Sequence, residues 1–117
     1  MSVNAQENIN LFIGNYQDYK IDIQAAGIAS IPAVDSEDDV LTIEYIYFLE
    51  GENRRGEMTL SFDAQTSRFQ GNWLTNADNG NVFSGSLYFV FDKNGEATGK
   101  YTFTNSEYNI TIFRASK

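Results

Sequence analysis

The sequence predicts an all-β protein, an antiparallel up-and-down barrel of about eight strands forming a single domain over residues 1–117. Three observations predict it. Between residues 40 and 114, apolar and polar side chains alternate with period two, as on half-buried strands. The alternating runs are separated by short turn segments, two of which contain Asn-Gly, a strong hairpin signal. A short unit also recurs every 14 residues, with a glycine two places before a large apolar residue: FQGNW from Phe69, FSGSL from Phe83 and ATGKY from Ala97. Strands joined this closely are expected to be antiparallel neighbours in a meander.

Taken in order, residues 11–24 read as the first strand, with FIGNY at Phe12–Tyr16 as a fourth copy of the glycine unit. Ala26–Val34 is apolar without a strong period and holds the single proline, Pro32. It is either the eighth strand, a lid over the barrel mouth or a packed connector; otherwise the first strand is bent into two. Asp35–Asp39 is the densest acidic run and reads as a solvated loop, since the glycine and spaced ligands of a calcium-binding EF-hand are missing.

Further strands are expected at about 40–50, 57–63, 68–75, 82–92, 96–104 and 107–114, with Gly51–Gly56 as a longer hairpin loop. Met58, Leu60 and Phe62 share one face of their strand, opposite Glu57, Thr59, Ser61 and Asp63. Phe83, Leu87, Phe89 and Phe91 line one face of the next long run, opposite Ser84, Ser86 and Tyr88. Phe, Tyr, Ile, Val and Thr, which dominate these runs, suit a pleated surface. No stretch carries the pattern of a long helix, so negligible helix is expected.

In each copy of the repeated unit the glycine falls on the apolar face, which is placed inward. Glycine inside a strand is costly unless the backbone must bend or be approached closely. Sheets that curl into barrels use such kinks, often covered by a neighbouring aromatic ring. Gly71, Gly85 and Gly99 are therefore expected on the concave face at points of strong bending.

These residues carry a family resemblance. FIGNY and FQGNW resemble the Gly-x-Trp strand of the calycins, the group of lipocalin, fatty-acid-binding and avidin barrels, with Tyr16 where tryptophan is usual. GNWLTNADNG followed by GEATGKY is similar to the first two strands of avidin-type barrels. The resemblance implies an aromatic plug at one end of a small barrel, crossed by a basic residue of the last strand, for which Arg114 is suitably placed. It supports a lipocalin-like barrel architecture.

Composition excludes several chemistries. The chain has neither cysteine nor histidine, so a Ser-His-Asp triad, a Cys-His dyad and a typical zinc site are impossible. No metal and no cofactor are expected. A formal charge of −8 would repel phosphate backbones and anionic lipid surfaces, so no nucleic-acid and no membrane partner is expected. The N-terminus lacks the basic start and apolar stretch of a secretory signal, and the chain reads as cytoplasmic.

Aromatic residues number 17 of 117, and they raise the question of an interior site. Either the rings fill a small barrel, or Tyr45, Tyr47, Trp73, Phe89 and Tyr101 line a ligand cavity. The strand at 40–50 is apolar on both faces, with Val40, Ile46 and Phe48 opposite Leu41, Ile43, Tyr45, Tyr47 and Leu49. A covering loop or a homodimer partner would account for the second face. Glu44, among these apolar residues, is the leading candidate acid or base, with a tyrosine as the alternative. Three functions follow: a binding protein for a small apolar or aromatic ligand, an acidic protein–protein interaction module of the inhibitor or immunity type, and a cofactor-free barrel cyclase or isomerase.

Overall fold

The computed structural model describes residues 1–115. A helix α1 (Val3–Gly14) and a single 3-10 turn (Tyr16–Asp18) precede eight strands: β1 (Tyr19–Ile23), β2 (Gly27–Glu37), β3 (Val40–Leu49), β4 (Glu52–Asp63), β5 (Arg68–Ala77), β6 (Val82–Phe91), β7 (Ala97–Phe103) and β8 (Ser106–Arg114). Each strand pairs antiparallel with the next, and β1 pairs with β8, so the sheet closes into an up-and-down barrel. Closure leaves no free sheet edge to be matched by another chain.

Turn chemistry explains the register. Asp38 and Asp39 both take left-handed backbone angles (φ 52° and 64°), as do Glu50 and Gly51 (φ 54° and 77°), so β2–β3 and β3–β4 turn on two residues each. Such turns match the right-handed twist of the flanking strands. The Asn-Gly segments form the β5–β6 and β6–β7 hairpins, with Gly80 and Gly95 left-handed (φ 90° and 73°). Asp92 fastens the second of these by accepting bonds from the Asn94 and Glu96 amides through Oδ1.

Several expectations need correction. The N-terminal segment is helical. Ser2 caps α1 by accepting a bond from the Ala5 amide at 3.1 Å, and Ile9 and Phe12, three residues apart, give the helix its buried stripe. FIGNY is therefore the end of α1 and the 3-10 turn, and the first strand begins only at Tyr19. A Cβ at Gly14 would meet open space, unlike one at the other three glycines of the unit. Of the readings open for Ala26–Val34, the strand holds: β2 from Gly27 brings the count to eight. It accommodates Pro32 at a bulge between Ser30 and Ala33, where the ladder already breaks step. The acidic run forms the end of β2 and its exposed turn. Glu52–Gly56 belongs to β4, in full register with β3, because the turn needs only Glu50 and Gly51.

Gly71, Gly85 and Gly99 do sit where neighbouring backbone leaves no room. A Cβ at each would overlap the carbonyl oxygen of Thr59, Thr102 and Tyr88 respectively. Gly56 is a fourth such position, against the Leu74 carbonyl and the Tyr45 hydroxyl.

The two ends of the barrel differ. One is closed by α1: Phe12 is fully buried, edge-on to Tyr19 (ring centroids 5.3 Å) and beside Phe91 (5.4 Å), while Asn8 Nδ2 donates to the Phe91 carbonyl. The Tyr19 hydroxyl donates to the Asn94 carbonyl at 2.7 Å. The Arg114 guanidinium stands 5.5 Å over the Tyr19 ring and pairs with Asp18 at 3.4 Å. The ring crossed by Arg114 is thus Tyr19 rather than Tyr16, because the chain enters the barrel after the 3-10 turn. No helix among the described residues is long and apolar enough to cross a membrane.

Candidate functional site

The other end of the barrel is open. It is bounded by the Gln24–Ala26, Glu50–Gly51, Asp78–Asn81 and Thr104–Asn105 connections, and it leads into a cavity of about 510 Å³. That volume lies within the usual range for small-molecule sites, roughly 300–1,000 Å³. Ile23, Met58, Leu87 and Ile110 contribute aliphatic side chains to the cavity lining.

Tyr45, Tyr47, Trp73 and Tyr101 all line this cavity. The register explains why: Tyr45 faces Gly56 across β3–β4, Trp73 faces Gly85 across β5–β6, and Tyr101 faces Leu87 across β6–β7. Tyr45 and Trp73 each lie over a glycine of the neighbouring strand, whereas Tyr101 lies between Leu87 and Tyr108. Phe89 does not line the cavity. It is fully buried in the closed half, paired with Phe69 and Gly99 and packed on Phe91 (6.1 Å), where the barrel is filled.

The rings are held rather than loose. Trp73 stands edge-on to Tyr101 with centroids 5.9 Å apart, and Tyr101 stacks on Tyr108 at 5.2 Å. Tyr45 and Tyr47 stack at 6.1 Å. Trp73 Nε1 donates to the Thr102 carbonyl at 3.1 Å, and the Tyr101 hydroxyl donates to the Gln24 carbonyl. The Tyr45 hydroxyl bonds to Thr75 Oγ1 and donates to the Leu74 carbonyl, so the buried threonine is satisfied. Burial pushes the Tyr45 hydroxyl far above its ordinary value, with the Thr75 bond opposing in part. Burial, followed by Tyr108 and Tyr47, pushes Tyr101 up to about 12. Both stay neutral at physiological pH, able to donate and accept hydrogen bonds but poor at losing a proton.

Glu44 points outward and is exposed, between Ala33 of β2 and Glu57 of β4. The carboxylate considered for acid–base chemistry is therefore on the wrong side of the wall. Among the described residues no three His, Cys, Asp or Glu side chains converge as metal ligands would.

Sequence reasoning missed Arg54, Thr75, Phe83, Phe103 and Tyr108, which also line the cavity. Thr75 and Phe103 could have been found by extending the inward alternation of Trp73 and Tyr101. Arg54 was hidden because its segment read as a loop, although Arg54, Gly56, Met58 and Leu60 keep one phase.

No family model, curated protein or solved structure matches this chain. The class defined by its own geometry is a closed, eight-stranded antiparallel barrel, plugged at one end and open at the other.

Proposed function

We propose that the protein binds a small apolar or aromatic ligand inside the open half of the barrel. The observation that carries this reading is the cavity itself: about 510 Å³, open at one end of the barrel and lined by hydrogen-bonded Tyr and Trp rings together with aliphatic side chains. A barrel of eight strands can instead be filled by its own side chains. Here filling is confined to the half that contains Phe89 and Phe91. The Tyr19 ring crossed by Arg114 closes the opposite end, so the open half is the accessible one. For the cyclase or isomerase reading, Glu44 is exposed on the outer face, and the carboxylates in the cavity lining are Glu50 and Glu52.

The test is a titration of Trp73 emission, the one tryptophan signal, with the neutral fluorophore N-phenyl-1-naphthylamine. Saturable energy transfer from Trp73 at about one probe per chain is expected, together with a higher melting temperature through linkage. No binding by this probe, by its anionic analogue or by a panel of similar apolar compounds would remove the proposal.

A second reading, docking of a protein surface and in the first instance a second copy of this chain, has its own observation. Phe48 is 65% exposed and Ile28 51% exposed on the outer face, near half-buried Ile46. Three large apolar residues turned outward on adjacent strands make an apolar patch suited to a protein contact.

A further inference from the structure

We infer that the ligand is an anion: an apolar or aromatic body carrying one acidic group, which Arg54 holds on the cavity wall just below the mouth. The inference rests on the cavity-binding reading and specifies the ligand's chemistry.

Arg54 is on the inner face of β4, between Tyr47 of β3 and Ala77 of β5. An inward arginine is expected to have a carboxylate partner, above all in a chain with 16 acidic residues and 8 basic ones. It has none: the ion pair found among the described residues is Arg114 with Asp18, at the opposite end of the barrel. Glu52, the carboxylate two places along the same face, is engaged elsewhere. Its two oxygens accept bonds from the Asn79 amide at 3.3 Å and from Asn79 Nδ2 at 3.2 Å. Glu50 lies at the rim and is exposed. Arg54 Nε is buried and has no hydrogen-bond acceptor among the described residues.

What Arg54 does have is the face of Phe83, 5.3 Å from its guanidinium carbon. That contact orients the planar group without using its N–H donors. A guanidinium fixed in this way presents a two-pronged fork suited to a carboxylate, sulfonate or similar planar or tetrahedral anion. A neutral ligand filling the cavity would strip water from the guanidinium and return no acceptor, which is costly. An anionic ligand supplies the missing partner, while Phe83, Trp73 and the tyrosines take up its apolar body. Arg68 also has a buried Nε without an acceptor, but it lies on the outer face, stacked 4.1 Å over Tyr88 and in register with Asp63. Its carboxylate neighbour is already present. The net charge of −8 opposes anion approach at long range, where physiological salt screens it beyond about 8 Å, and Glu50 and Glu52 oppose it locally; Arg54 is the one cationic side chain of the cavity lining.

A matched pair of probes tests the inference: 1-anilinonaphthalene-8-sulfonate and its uncharged parent, N-phenyl-1-naphthylamine. The sulfonate is expected to bind at least about tenfold more tightly to the folded protein, in line with a charge-assisted contact. Arg54→Met should erase the difference between the two probes, and Arg54→Lys should keep part of it. Circular dichroism of each variant confirms that the barrel is intact. Equal affinities in the unaltered protein, or a preference that survives Arg54→Met, would overturn the anion assignment while leaving the cavity reading in place. If neither probe binds, the cavity reading fails and this inference fails with it.

Discussion

Trp73 on β5 reaches past β6 to donate its indole N–H to the Thr102 carbonyl on β7, at 3.1 Å. It can do so because the β6 residue between them is Gly85. A Cβ there would overlap the Thr102 carbonyl and approach the indole nitrogen to 2.6 Å. Gly85 thus lets the sheet fold tightly beneath a covering aromatic ring, the arrangement expected where a glycine bends a strand.

Gly85→Ala is therefore expected to destabilise the protein by about 1–3 kcal/mol, the range for forced overpacking. The nearest atom is backbone and cannot swing aside. Gly14→Ala is the matched control, since its Cβ meets open space and alanine favours helix. Urea denaturation should show a lower midpoint for the first variant and an equal or higher one for the second. Indistinguishable midpoints would mean that close approach at Gly85 is not a constraint.

Phe12→Ala should cost about 3–5 kcal/mol, as large aromatic truncations in cores do. Phe12 is fully buried between Tyr19 and Phe91, so the closed end would be left with a void. A thermal melt measures the loss. An unchanged melting temperature would show that α1 is not the plug.

Stability should fall in alkali. Tyr101 titrates at about 12 and Tyr45 higher still in the folded state, against 10.0 for the free side chain. Raised values mean that the unfolded chain loses its phenolic protons first. The contribution is complete below pH 10.0 and is lost progressively as pH rises through the folded values. Denaturation midpoints at pH 9, 10.5 and 11.5 should decline in that order. Absorbance near 295 nm should show these two phenols ionising late or together with unfolding.

If the outer patch joins two copies, the protein should sediment as a dimer, and Phe48→Lys should sediment as a folded monomer. Phe48 is exposed, so the change has little to disturb inside the barrel. A monomeric unaltered protein at high concentration would dismiss self-association through this face.

Much of this architecture was legible from residue order. Period-two alternation and the 14-residue glycine spacing report the pleat and the tight fold directly, and the Trp73–Tyr101 contact follows from two strands in step across a third. The helix was not legible. Its asparagines are weak helix formers, its apolar stripe is short, and FIGNY mimics a strand motif that its surroundings override. Phe89 shares its alternation with true cavity residues, because one inward face runs from the open half into the filled half. Alternation specifies the side of the wall and leaves depth along the barrel unspecified. Arg54 was obscured by charge: polar residues at a strand's end resemble a loop until the turn is known to need only two residues.

The pairing of β1 with β8 sets an order of events. Every other seam joins neighbours in the chain, whereas Tyr19 must find Arg114, 95 residues away. Ala115 then donates its amide to the Asp18 carbonyl at 2.8 Å, tying the two ends together. Each doubling of a closed loop adds only about 0.6 kcal/mol, so this seam is affordable once formed. It is nonetheless the one seam whose partners are far apart in the chain, and such non-local pairings form slowly. The hairpins from β3 to β6 can zip locally and early, and the short β1–β8 seam should close last and open first. Native-state hydrogen exchange should accordingly find the amides of β1 and β8 released before those of β4 and β5. Small molecules could then enter a breathing barrel through its side as well as through its mouth.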